Sequence, residues 1–143
     1  MASYVETQIY EGLCAHLSTL TLSPALPVSL PGKAFTPDAT LGYLRVTHLP
    51  NRAEQITLGG DGYNQHRGIF QIDVLQPSSA GIVVAAEIAG AVAAHFKRGT
   101  NITREGALIR VIAPPSIAQA LQSPPYIQIP VSIAWAVEAL NPA

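Results

Sequence analysis

Between Pro124-Pro125 and the C-terminus, Ile127, Ile129, Val131, Ile133, Trp135 and Val137 occupy every second position. That alternation places all of these side chains on one face of an extended strand, whereas a helix would scatter them around its circumference. A strand with one unbroken apolar face must sit in a sheet that another layer covers, so the run commits the chain to a layered architecture. Pro130 falls on the opposite face. Because proline has no N–H to give to a neighbouring strand, its place inside the run predicts an edge position or a bulge.

The same period recurs upstream. Leu44 and Val46 point one way and Tyr43, Arg45 and Thr47 the other in a strand over 41–49 that Pro50 ends, and Phe70, Ile72 and Val74 oppose Gln71 and Asp73 in a central strand over 68–75. A shorter strand is expected over 108–112, stopped by Pro114-Pro115. Prolines at 24, 27, 31 and 37 forbid a helix after residue 20 and leave Val28-Ser29-Leu30 as a short edge strand at best. From Asn51 to Arg67, with Gly59-Gly60-Asp61-Gly62 at its centre and only Ile56 and Leu58 as anchors, the composition predicts a long surface loop or ribbon.

Two segments carry helical spacing. Val5, Ile9, Leu13, Leu17 and Leu20 recur at steps of four and three, with Ser3 as the expected N-cap and Glu6 completing a capping box. The second helix starts near Gly81-Ile82 after Pro77-Ser78-Ser79, and is expected to end at Lys97-Arg98-Gly99, where cations meet the macrodipole and glycine follows the last turn. It is apolar almost all round, with Glu87 the exception, so it should be covered by the sheet on one side and by a neighbouring subunit on another. The order helix, strands, helix, strands indicates an α+β domain: an antiparallel sheet of about four to five strands with two helices packed on one side, in a single domain over 1–143.

Composition narrows the function. Of the 143 residues 48% are hydrophobic and 12% charged, with net charge -1. Eight basic residues against nine acidic ones offer no clustered cations to displace phosphate counterions, so duplex DNA is not an expected ligand. So few charges leave little to coat the surface, which points to burial against other subunits. Cys14 is the only cysteine, so neither an internal disulfide nor a cysteine zinc site is expected. The first residues, Met1 to Glu6, lack a basic region followed by an apolar run, so no secretory signal is expected. The most apolar stretch, 81–96, is shorter than a membrane span and contains Glu87 and His95.

No motif of catalysis stands out. His16 and His95 lie on the expected helices and His48 ends a strand; His66, with Asp61 and Tyr63 in the glycine-rich segment, is the one grouping an enzyme could use. Asp61-Gly62-Tyr63-Asn64 is equally ordinary turn chemistry, and no Gly-Lys-Ser/Thr or GxGxxG sequence makes the glycines a phosphate loop. No catalytic, metal or cofactor residues are assigned. Arg45, Arg67, Asp73 and Arg110, on or beside strands, could form ion pairs across the sheet or between subunits.

Phe35-Thr36-Pro37 followed by Tyr43-Leu44-Arg45-Val46-Thr47-His48-Leu49-Pro50 resembles the FxP…YLRV..LP pattern of phage tail terminator-like proteins of long, non-contractile tails. Gly68 to Val74 is similar to that family's G.FQVDV strand, 81–100 to its second helix and turn, and Pro130-Val131-Ser132-Ile133 to its closing PVSI strand. The resemblance implies a virion structural protein, made in the host cytoplasm, that caps the tail tube as a hexameric ring. In that role it stops polymerisation and offers the surface that joins the head. It implies no catalytic residues and no cofactor, with partners in further copies of the chain, the tail-tube protein and a head-completion or connector protein; DNA would pass through without specific binding. A tail-tube or head-completion protein of related fold is the other reading, since fold does not fix function. On either reading Arg45, Asp61, Tyr63, His66, Arg67, Asp73, Glu87 and Arg110 are the candidates for contacts with a neighbouring subunit or the tube.

Overall fold

In the computed structural model, which describes residues 4–22, 25–38 and 40–140, the alternating run becomes β9 (Tyr126–Leu140). It pairs antiparallel with β4 (Tyr63–Pro77) along the full 15 residues of each, from Tyr63 opposite Leu140 to Pro77 opposite Tyr126. This ribbon is about 50 Å long at the usual rise of a strand. Around it lie α1 (Val5–Ser18), β1 (Val28–Ser29), β2 (Tyr43–Pro50), β3 (Glu54–Gln55), a 3-10 turn (Ser78–Ala80), α2 (Ile82–His95), β5 (Asn101–Arg104), β6 (Ala107–Val111), β7 (Ser116–Ile117) and β8 (Leu121–Ser123).

The α+β class holds, but the sheet is larger than expected and mixed. It has 9 strands in the order β1-β2-β4-β9-β6-β5, with β3 attached to β4 and β7 and β8 to β9, and β1 runs parallel to β2. β1 is the short edge strand expected at Val28-Ser29-Leu30, while the unexpected strands β3, β5, β7 and β8 are two to four residues long, too short for a period of two to register in sequence. β3 and the first residues of β4 also shrink the expected loop: Glu54 and Gln55 pair with Gln65 and Asn64, leaving a hairpin turn over 56–62.

β9 is interior to the sheet, and its proline is tolerated for a local reason. The Pro130 carbonyl accepts the Ala118 N–H at 2.9 Å, so the missing donor, which lies on the same side of the strand, faces the flank where β7 has just ended and β8 has not begun. Proline here sits opposite an interruption rather than on an edge.

One face of the sheet carries both helices. Leu44 and Val46 of β2, Phe70, Ile72 and Val74 of β4, and the alternating residues of β9 form a single buried cluster with Val5, Ile9, Leu13 and Leu17 of α1 and Ala85, Ala89 and Val92 of α2. Gly68 is a position where only glycine fits: a Cβ there would stand 2.6 Å from Trp135 Cζ2 and 2.7 Å from the Leu49 carbonyl oxygen. The indole thus lies across β4 at Gly68.

The helix ends differ from expectation. α1 begins after Tyr4 with no side-chain cap, and Glu6 is engaged elsewhere; Ser3 lies outside the described residues. α2 likewise has no side-chain cap: the Ser78 hydroxyl and N–H both donate to the Pro125 carbonyl, and Gly81, at φ 84°, makes the turn into Ile82. The helix ends at His95 rather than at Lys97-Arg98, and Gly99 (φ 90°) serves the turn into β5, its N–H donating to the Val111 carbonyl. Among the described residues no helix is long and apolar enough to cross a membrane.

Candidate functional site

The structure separates the residues that an enzyme would have needed together. Along β4 the side chains alternate, so His66 joins the helix-covered face while Tyr63 and Arg67 take the other, and Asp61 stays in the hairpin turn. His66 is buried, and its Nδ1–H donates to Glu6 Oε1 of α1 at 2.8 Å. It ties a helix to the sheet. Among the described residues no group of three or more His, Cys, Asp or Glu side chains could hold a metal ion.

The strand charges pair within the chain. Arg45 and Asp73 are register partners on β2 and β4, their side chains 3.1 Å apart, and Gln71 donates to the second oxygen of Asp73 at 2.9 Å. Arg67 lies 3.4 Å from Glu54, and Arg110 donates to Glu138 Oε2 at 2.6 Å. Arg67 and Arg110 both flank Ala136, on β4 and β6 respectively, so these pairs form a charged band on the sheet face opposite the helices. A buried carboxylate such as Asp73 needs its partner in place, whereas the exposed pairs contribute little to stability. Glu87 lies exposed on α2, near none of the others.

Sequence reasoning passed over what the other histidines do. His16 and His95 stack with ring centroids 4.2 Å apart, and each donates Nε2–H to the other's backbone carbonyl, at 2.8 and 2.7 Å. This clasp joins the last turns of the two helices and gives the His95 carbonyl a donor at a helix end; the His16 carbonyl also accepts from the Thr19 N–H and hydroxyl. His48 stacks on Trp135 at 5.7 Å and meets Tyr10 at 5.4 Å. Burial holds the His48 imidazole below its usual pKa, against a smaller opposing pull from Glu6. Burial, with a hydrogen bond to Cys14, pushes the Tyr10 phenol up to about 12. The one sequence signal for the clasp was the placing of each histidine in the last turn of a helix.

What remains for a partner is apolar surface. The first turn of α2 exposes Ile82, Val83 (70%) and Val84, and beside it a groove of about 290 Å³ is lined by Leu22, Leu26, Leu41, Val83, Val84 and Ile88. At the hairpin, Leu58 is 96% exposed, with Ile56 and Tyr63 nearly half exposed. Large apolar side chains gathered in patches mark interaction surfaces, while single ones do not.

Comparison with known proteins fits a surface built for assembly. A search of the curated proteins finds no match. One solved structure is 28% identical, covering 94% of this chain and 96% of that one at a TM-score of 0.79. A chain from the virion of a native gene transfer agent particle shares the fold at 16% identity and TM-score 0.57, covering 95% of this chain and 96% of its own. The family model of the phage tail terminator protein matches residues 8–135, which takes in α1 from Gln8, all of α2 and the sheet through Trp135. With that extent of match, the chain belongs to the phage tail terminator family of virion structural proteins.

Proposed function

We propose that the protein, acting as one domain over 1–143, caps the tail tube as a hexameric ring, stops its polymerisation and presents the surface that joins the filled head. The family match over 8–135 carries this reading. The uncovered first turn of α2 supports it, because a ring gives each copy a neighbour to cover such surface. Its partners are then further copies of itself, the tail-tube protein and a head-completion or connector protein, and its place is the virion tail after synthesis in the host cytoplasm. DNA passes through the ring ungripped, in keeping with a net charge of -1.

The second reading, a tail-tube or head-completion protein, has a specific observation behind it: the likeness in fold to a chain of a gene transfer agent virion. The two differ in how they polymerise. Light scattering after size exclusion, with negative-stain images of the same fractions, should give closed rings for a terminator, whereas open filaments of the same diameter would assign a tube protein. Deleting Gly59 to Gly62 should weaken capping of purified tubes while leaving the fold intact, and unchanged capping would remove the hairpin from that role.

A further inference from the structure

We propose that copies of this chain meet head to tail, the 56–62 hairpin of one inserting Leu58 into the groove beside α2 of the next. The inference rests on the ring reading above and names the contact that closes it. Its first ground is position. The hairpin lies at the Tyr63 end of the β4–β9 ribbon, while the groove, whose wall includes Gln76, lies at the Pro77 end. The two are therefore separated by most of the ribbon's length of about 50 Å. One chain thus carries a protruding apolar tip at one pole and an apolar recess at the other. Two different patches that fit each other give a heterologous contact, which repeats from copy to copy and closes wherever the rotation allows.

Size is the second ground. A standard interface takes roughly 800 Å² from each partner, about a tenth of the 7945 Å² surface of this chain. Leu58 alone cannot supply that, but Ile56 and Tyr63 beside it, and Ile82 and Val83 on the rim of the groove, widen the contact on both sides. Charge is a cost to this contact rather than a ground for it: Asp61 at the tip and Glu87 in the groove have no ion partner among the described residues, and seating the tip brings these like charges towards each other at the edge of an apolar contact. Salt screens that repulsion, so the contact strengthens as salt rises.

The test uses the full chain with Leu58→Asp and Val83→Asp, both at exposed positions, and far-ultraviolet circular dichroism to verify the fold. Each variant alone should associate at least tenfold more weakly than the wild type by sedimentation velocity. Mixed in equal amounts they should form dimers that grow no further, since an intact tip on one meets an intact groove on the other. Wild-type association should rise between 0.05 and 0.5 M sodium chloride. The contact is overturned by a folded variant that assembles like the wild type, by a mixture that stays monomeric, by association that falls with salt, or by a wild type monomeric at its highest soluble concentration. Failure of the ring-capping reading would look different: copies that associate through this contact yet leave tube growth unchecked.

Discussion

α1 and α2 are both 14 residues long and lie on the same face of the same sheet, yet they bury different things. α1 sinks Val5, Ile9, Leu13 and Leu17 into the core and turns its polar side chains outward. α2 fully buries only Ala85, Ala89 and Val92, packs Ile88 and Ala93 partly against the core, and leaves Ile82, Val83 and Val84 in solvent. A helix whose large residues are inside stabilises the subunit; one whose large residues are outside is shaped for something beyond it. Their glycines tell the same story. A Cβ on Gly12 would meet Ile109 Cδ1 at 2.5 Å and Arg104 Cβ at 3.1 Å, while one on Gly90 would meet nothing within 4 Å.

Equal changes on the two helices should therefore have unequal effects. Leu13→Ala, at a position with no exposure, should lower the free energy of unfolding by about 2–5 kcal/mol through lost burial and the cavity it leaves. Urea titration reads this directly, and a loss below about 1 kcal/mol would mean that α1 is not anchored as described. Gly12→Val should destabilise by about 1–3 kcal/mol through overpacking against Ile109 and Arg104. Gly90→Ala should do the reverse and stabilise the isolated subunit by about 0.5–1 kcal/mol, because the added methyl has room and alanine favours the helix. A loss on Gly90→Ala in the monomer would show that this face is covered after all.

The region beneath α1 should also respond to pH, with a sign fixed by burial. The His48 pKa is lowered in the folded state, so the unfolded chain binds a proton first as pH falls. Its contribution to stability is complete above the ordinary histidine pKa and is lost as pH falls from there towards the depressed folded value. Melting temperature should drop over that window, and His48→Phe should flatten the drop; an equally steep drop in the variant would place the titration elsewhere. Smallest of all, Val83→Ser should change monomer stability by no more than about 0.5 kcal/mol, since an exposed position away from packing has little to lose. A large loss would mean that α2 holds the subunit together as α1 does.

The long periodic segments could be read directly, because burial on one face writes its period into the residues. α1, β2 and β9 lie where alternation or three-and-four spacing puts them, and α2 where its apolar run does, whereas β4 reaches five residues back, to Tyr63, into the segment expected as a loop. Of the two-residue strands only β1 could be read, from the prolines around it; β3 could not, since it exists only because Glu54 and Gln55 come to lie beside Gln65 and Asn64. The same holds for sites. Asp61, Tyr63 and His66 are close in sequence, but a period of two sends Tyr63 and His66 to opposite faces. Arg45 and Asp73 carry opposite charges on separate strands, and only the β2–β4 register makes them partners.

The sequence by itself determined the layers: which residues alternate, which recur as a helix, and that a chain with 12% charged residues would leave apolar surface for others to cover. It also determined family, through motifs kept in order along the chain. Tertiary structure alone decided which apolar residues are left outside. Val83 and Val92 are the same residue on the same helix, but one is 70% exposed and the other fully buried. Composition cannot tell them apart, because exposure depends on which face of the helix meets the sheet. That choice follows from packing between residues far apart in the chain, and it gives this protein both a sealed core and an open surface.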